Sequence, residues 1–227
     1  MTSDTPEPAC HPSGDTPEPI RSPDGPIVVL GIGNVLWADE GFGVRCVEAL
    51  QRHWAFAEGA GLPEVQLIDG GTQGLYLIQH VQAAARLLIL DAVDYGLEPG
   101  TLHLVENEEV PKFLGAKKMS LHQTGFQEVL MLSQLTGHYP AEVLLIGCQP
   151  EELEDYGGSL RPKVRLAVDD AVALALERLR SWGAQPLPRD RPPQADEAVT
   201  VPTLSLQAYE SGRPDAAADR KSTRLNS

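Results

Sequence analysis

Between about residues 27 and 182 the chain alternates short apolar runs with amphipathic stretches. Ile27–Leu30 is uniformly apolar and stops at Gly31-Ile32-Gly33-Asn34, the pattern of a buried strand entering a turn. Residues 40–53 set Val44, Val47 and Leu50 on one stripe and end on Arg52 and His53, where a helix favours cations; a helix is predicted. Val65–Ile68 predicts a second strand, closed by Asp69-Gly70-Gly71, and Leu75–Arg86 a second helix. Leu87–Leu90 predicts a third strand, apolar throughout and therefore central. A fourth strand follows over Thr101–Val105, a long helix over Ser120–Leu135, a fifth strand over Val143–Ile146 and a last amphipathic helix over Lys163–Trp182.

Strands alternating with helices imply a three-layer α/β fold, a mostly parallel five-stranded twisted sheet with helices on both faces. One link departs from the rule. Leu90 and Thr101 are separated by about ten residues, including Gly96, Pro99 and Gly100, and a parallel crossover needs roughly a dozen or more. The fourth strand is therefore expected to run antiparallel to the third, joined to it by a wide hairpin, and to finish at the bottom of the sheet. Residues 106–119 would then be a long loop that climbs back and delivers His122 to the top, at the start of the next helix.

Composition sets the limits of this domain. A chain of 227 residues normally holds one domain, sometimes two. Its 42% apolar content supports a core, and 5% aromatic content makes that core mostly Leu, Val, Ile and Ala. The domain is expected over 26–183. Residues 1–25, in which Asp-Thr-Pro-Glu-Pro occurs at 4–8 and again at 15–19, are expected to be disordered, because they bury too little to offset their ordering entropy. Residues 184–227 read the same way, and 220–227 continue no earlier pattern, as a cloning or assembly scar would. Removal of 1–24 or 188–227 is expected to leave the fold intact.

Cys10, Cys46 and Cys148 are scattered and lack Cys-x-x-Cys spacing, which argues against a disulfide framework or a thiolate zinc site and for a reducing compartment, the cytoplasm. There is no run of 18 apolar residues and no basic, then apolar, N-terminal segment, so neither a membrane span nor a secretory signal is expected. A net charge of −14 repels phosphate backbones and makes nucleic acid an unfit partner. A monomer is expected.

In open α/β sheets ligands bind outside the carboxyl ends of the strands. The polar residues expected there are Asn34, Asp39 and Glu40 after the first strand and Asp69 and Thr72 after the second. Asp91 and Asp94 follow the third, and His122 and Gln123 open the long helix. Glu40 sits at a helix start, which favours its anionic, metal-binding form. Gly41 and Gly43 are expected to leave its flank bare for a bulky partner. Two carboxylates and one imidazole suit a borderline divalent metal and water activation. On spacing alone each has a structural alternative: a first-turn acid for Glu40, a cap or turn residue for Asp91, a satisfied helix-start histidine for His122. His11, His53, His80, His103 and His138 have no comparable setting.

The stretch Val29-Leu30-Gly31-Ile32-Gly33-Asn34, followed by Asp39-Glu40-Gly41-Phe42-Gly43-Val44-Arg45, resembles the opening signature of the nickel–iron hydrogenase maturation endopeptidases. Asp69-Gly70-Gly71-Thr72, Asp91-Ala92-Val93, Ser120-Leu121-His122-Gln123, and Gly147 with Pro150-Glu151 and Leu153-Glu154 agree in order and spacing, so the resemblance covers 27–182. It implies an endopeptidase that cuts a C-terminal extension from the hydrogenase large subunit once nickel is in place. Glu40, Asp91 and His122 match the metal-contacting positions. The implied partner is the nickel-loaded large-subunit precursor, with nickel supplied by the substrate and no permanently bound cofactor. The catalytic class, aspartic-type or metal-assisted, stays open: the metal polarises a water or the scissile carbonyl, or Asp69 or Asp39 acts as general base. Asp69 has the alternative role of holding the Gly-Gly turn.

Three other readings compete. A dinucleotide site is disfavoured because Leu36 stands where a third glycine belongs and Asp39 and Glu40 occupy the phosphate position. A nickel-checking chaperone on the same fold shares every motif. A thiol protease would need Cys46 or Cys148, both placed where packing is expected.

Overall fold

The computed structural model describes residues 25–116 and 121–212, with residues 113, 115, 116 and 121–124 described through their backbone alone. In chain order its strands are β1 (Ile27–Ile32), β2 (Trp54–Phe56), β3 (Val65–Gly71), β4 (Arg86–Ala92), β5 (Leu102–Glu106), β6 (Glu142–Cys148) and β7 (Pro186–Pro188). Its helices are α1 (Phe42–His53), α2 (Ile78–Ala83), α3 (Glu109–Ala116), α4 (Leu121–Leu135), α5 (Pro162–Ser181) and α6 (Leu206–Ser211). Five strands form the central sheet in the order β3-β1-β4-β6-β5, with β5 antiparallel to its neighbour and the others parallel.

β1, β4 and β6 are buried on both faces, which is why each reads as an unbroken apolar run. Strand alternation sorts their side chains. Ile27, Val29, Leu88 and Leu90 pack under α1 and α5, while Val28, Leu30, Leu87 and Ile89 pack under α2, α3 and α4. The three-layer α/β architecture expected from the sequence is the one observed.

The edge differs in one respect. β5 runs antiparallel as expected, but it pairs with β6, not with β4. Ala92 and Leu102 both lie opposite Cys148. The connection over 93–101 is long enough to cross two strand spacings, about 10 Å. It is held by N–H donation from Val93 to the Cys148 carbonyl (2.9 Å) and from Gly100 to the Gln149 carbonyl (2.8 Å). β6 gains burial on both sides in the interior, whereas β5, with His103 and Leu104 exposed, suits an edge.

The return from β5 is a helix, α3, and not the expected loop. Asn107, at φ 49°, turns the chain there, donating its N–H to the Val143 carbonyl (2.7 Å) and accepting the Val143 N–H (3.0 Å). β5 therefore ends at the bottom of the sheet, beside the start of β6. α4 also ends at the bottom, where Gln82 donates to Thr136 (2.8 Å), so its first turn lies at the top. The predicted helix over 75–86 divides into a tight turn at 74–77 and the short α2, and Arg86 already belongs to β4.

The largest departure is the tail. Residues 184–212 pack on the domain. β7 pairs antiparallel with β2, and the Arg189 N–H donates to the His53 carbonyl (2.8 Å). Composition misjudged this segment because much of what holds it is polar: Gln51 on α1 brackets it, donating to the Glu197 carbonyl (2.7 Å) and accepting the Val199 N–H (2.8 Å). The expectations for 1–24 and 213–227 lie outside the described residues.

Candidate functional site

After β1 the chain winds to β3 on one side, then crosses to β4 on the other, so the switch point of the sheet falls between β1 and β4. The loop after β1 carries Glu40 and the end of β4 carries Asp91, placing both at this crevice.

The loop over 34–41 is built with little freedom. The Asn34 side-chain oxygen accepts the Leu36 N–H (3.0 Å), and the Asn34 carbonyl accepts the Trp37 N–H (3.0 Å). Gly33 has φ 127°, and a Cβ there would lie 1.8 Å from the Glu40 carbonyl oxygen. Ala38 is held at φ 38°, a left-handed conformation that an alanine adopts at some strain. Two adjacent acids follow it directly. Asp39 is fully buried and Glu40 only partly so.

The Asp39 carboxylate accepts three backbone N–H groups: Glu151 (2.8 Å), Glu152 (2.9 Å) and Arg161 (2.7 Å). Trp37 bridges to Tyr156, with ring centroids 5.3 Å apart. The loops after β1 and β6 therefore form one rigid body. Asp39, a candidate base in the sequence, has its oxygens filled by this clamp. Glu40, by contrast, is only partly buried, and burial pushes its pKa up to about 7.

The glycines beside Glu40 do not leave its flank bare. A Cβ on Gly43 would lie 2.0 Å from the Leu90 carbonyl oxygen and 2.4 Å from that of Ile32. α1 thus starts directly on the backbone of β1 and β4, which brings the Glu40 turn against the residue preceding Asp91. Gly41 is likewise covered, by Val35.

Asp91 is 2% exposed and shares the parity of Leu87 and Ile89, so it points to the face that α4 covers. Across the sheet its partner is Gly147, over which the Tyr95 hydroxyl packs so closely that a Cβ would lie 1.8 Å from it. Burial and then the charge of Asp91 push the Tyr95 pKa up. Gln149 fixes this loop. It accepts the N–H of Tyr95 (2.7 Å) and of Leu97 (3.1 Å) and donates to Asp94 (3.0 Å). His122 belongs to the first turn of α4, at the top, and the second turn touches the turn at 74–77. The side chains of His122 and Gln123 lie outside the described residues.

Asp69 is set apart from this group. It shares the parity of Val65 and Leu67, which faces α1, and lies on the edge strand. Burial raises its pKa, against the lowering effects of the Thr200 hydroxyl, the Gly71 backbone and the Arg45 charge. Cys46 and Cys148 are buried free thiols. Burial and the Asp39 charge push Cys148 up to about 12, and burial above all raises Cys46, so neither supplies a thiolate nucleophile at neutral pH.

Sequence reasoning overlooked Gln149, Arg161 and Thr200. Gln149 acts through its side-chain amide on the 93–97 loop and Arg161 through its own N–H, contacts that no spacing reveals. Thr200 did leave a signal: Val199-Thr200-Val201 is a β-branched run inside an otherwise polar tail.

A family model described as hydrogenase maturation protease matches residues 44–178. Hydrogenase expression/formation protein HoxM of Cupriavidus necator is 67% identical over 188 residues, covering 83% of this chain and 91% of that protein. The hydrogenase 2 maturation protease of Escherichia coli is 39% identical over 166 residues, 72% of this chain and 96% of that one. Among solved structures, the hydrogenase maturating endopeptidase HybD from E. coli superposes with a TM-score of 0.67 at 36% identity, covering 72% of this chain and 98% of its own. The chain belongs to the hydrogenase maturation protease family, and its class of chemistry is peptide-bond hydrolysis.

Proposed function

We propose that this protein is the endopeptidase that removes the C-terminal extension of the nickel–iron hydrogenase large-subunit precursor after nickel insertion. The observation that carries the reading is the placement of Glu40 and Asp91 on either side of the switch point, with α4 bringing His122 to the same end of the sheet on the face to which Asp91 points. Nickel here belongs to the substrate. Two carboxylates and an imidazole contact a borderline divalent ion without displacing it from softer cysteine thiolates, so they sense the ion and leave it in place.

Burial favours the protonated form of Glu40 and an arriving cation favours its ionised form, so recognition is coupled to proton release. Glu40, Asp91 and His122 would contact the substrate's nickel, which would supply polarisation of the scissile carbonyl; water would add to the carbonyl carbon, with its proton passing to the departing amide nitrogen. Asp69, one strand away on the α1 side, contacts the polypeptide of the substrate and not its metal. The protein acts as a monomer in the cytoplasm. Its buried free thiols suit a reducing compartment, and among the described residues no helix is long and apolar enough to cross a membrane.

The test is incubation of the purified protein with nickel-loaded and nickel-free precursor, read by mass spectrometry. Only the loaded form should shorten. Glu40→Gln, Asp91→Asn and His122→Ala should each slow processing by about 100-fold or more. Near-normal processing by all three variants would sink the metal-reading assignment. A loaded precursor that binds but is never shortened by the wild type would favour a checking chaperone.

A further inference from the structure

Beyond β7, residues 197–212 form a strap across the outer face of α1. Gln51 holds its start, at the Glu197 carbonyl and the Val199 N–H. Arg45 donates to the Leu204 carbonyl (2.6 Å), and Glu48 accepts the Leu206 N–H (3.0 Å), so α6 begins against α1. It ends against α5. There the Glu210 carboxylate accepts the Ser159 hydroxyl (2.7 Å) and pairs with Arg165. These two partners stand on either side of the joint where the loop after β6 becomes α5. Ser159 lies before Arg161, and Arg165 lies one turn after it, donating its N–H to the Arg161 carbonyl (2.8 Å). Arg161 is the residue whose own N–H donates to Asp39 (2.7 Å).

We propose that Glu210 is a positioning residue: from the end of the strap it fixes the 159–165 joint, and through the bond from Arg161 to Asp39 it sets the place of Glu40. The proposal rests on the reading of Glu40 as a contact for the substrate's nickel. The joint lacks the usual means of fixing a helix start. α5 has Arg161 at its N-cap position and no side-chain cap bond. The Arg161 side chain turns back to Asp155 instead (2.8 Å). Glu210, 51 residues beyond Ser159, supplies the missing side-chain hold, and does so on both sides of the joint. What it fixes passes to Glu40 by short steps. Leu160 is 7% exposed and packs in the core cluster with Phe42 and Val164, so Ser159 and Arg161 move together. Arg161 supplies one of the three backbone donors to Asp39, and one peptide bond joins Asp39 to Glu40. α1 starts two residues after Glu40, seated on the backbone of β1 and β4, and cannot absorb a shift at the joint. The Glu40 turn, between that fixed helix start and the clamp, takes it up.

A strap that only covers the domain would leave the joint in place when its last tie is cut, whereas a positioning tie would release it. In Glu210→Ala the Arg161 amide should exchange with deuterium about tenfold faster than in the wild type, followed residue by residue by NMR. In the same variant kcat for the nickel-loaded precursor should fall about fivefold with KM within about twofold, because Glu40 enters the reacting geometry while the wider docking surface is untouched. Glu210→Gln keeps an acceptor for the Ser159 hydroxyl and should hold exchange and kcat within about twofold of the wild type. Gln51→Ala frees the opposite end of the strap. Val199 should then exchange faster, with Arg161 exchange and cleavage within about twofold of the wild type. Wild-type exchange at Arg161 or a wild-type kcat in Glu210→Ala overturns the proposal, and so does a Gln51→Ala that loosens Arg161 as much. Should Glu210→Ala not fold, Ser159→Ala removes the hydroxyl alone, and the same two quantities decide in the same way. If the wild type cleaves nothing, the endopeptidase reading fails, and exchange at Arg161 still decides whether Glu210 holds the joint.

Discussion

Glu40 and Asp39 are neighbours in sequence with opposite duties, and each has its own signature in stability. Burial raises the folded-state pKa of Glu40 from 4.5 to about 7. Over that interval the folded protein holds a proton that the unfolded chain has lost, so ionising Glu40 destabilises the fold as pH rises. Because the group is only partly buried, solvent screening limits the effect to about 1–2 kcal/mol. Glu40→Gln should therefore be about 1–2 kcal/mol more stable than the wild type at pH 8 and no more stable at pH 4, by urea midpoints. Equal gains at both pH values would trace the effect to packing. Asp39→Asn sets an amide N–H₂ against three backbone donors and should lower stability by about 2–4 kcal/mol at pH 7. A loss under 1 kcal/mol would mean that the loops after β1 and β6 hold together without it.

At the scale of elements, the sheet and the long helices were legible because their apolar periods are long and uninterrupted. The order of the last two strands was not. An antiparallel return by a short link reads as a hairpin, and only the burial of β6 on both sides decides that it slides between β4 and β5. The tail escaped notice for a related reason: its order comes from Arg45, Glu48 and Gln51, which a periodicity argument assigns to solvent. Deleting residues 189–227 should lower the thermal midpoint by roughly 5–10 °C. An unchanged midpoint would restore the expectation of a dispensable tail. Gly43→Ala tests the seat of α1. Its methyl would meet backbone carbonyls of both β1 and β4, so a loss of about 2–3 kcal/mol is expected in denaturant melts, and processing should fall as the Glu40 turn is lifted. A melt unchanged from the wild type would show that the helix start can shift without strain.

For the molecule as a whole, the candidate site was legible as a list before it was legible as a shape. Glu40, Asp91 and Asp69 could all be assigned to strand ends, but residue parity alone sends Asp91 toward α4 and Asp69 toward α1, and that split depends on which helix covers which face. The same map places both thiols inside the packed layer between α1 and β6. Cys46→Ala and Cys148→Ala should each keep processing within about twofold, with at most about 1–2 kcal/mol lost from packing. Complete loss of cleavage in a folded variant would revive a thiol mechanism.

The left-handed residue Ala38 has a consequence for how this loop can change over time. It sets the chain's direction just before the buried clamp of Asp39 and the partly buried Glu40, so the five steps from Asn34 to Asp39 act as a ruler. Val35 and Leu36, whose side chains make none of these ties, are the positions freest to drift. The length of the ruler is not free: a one-residue insertion would carry Asp39 out of the clamp, and a one-residue deletion would put Glu40 in the clamp's place, so either change costs the pairing of anchor and sensor while leaving both acids in the sequence.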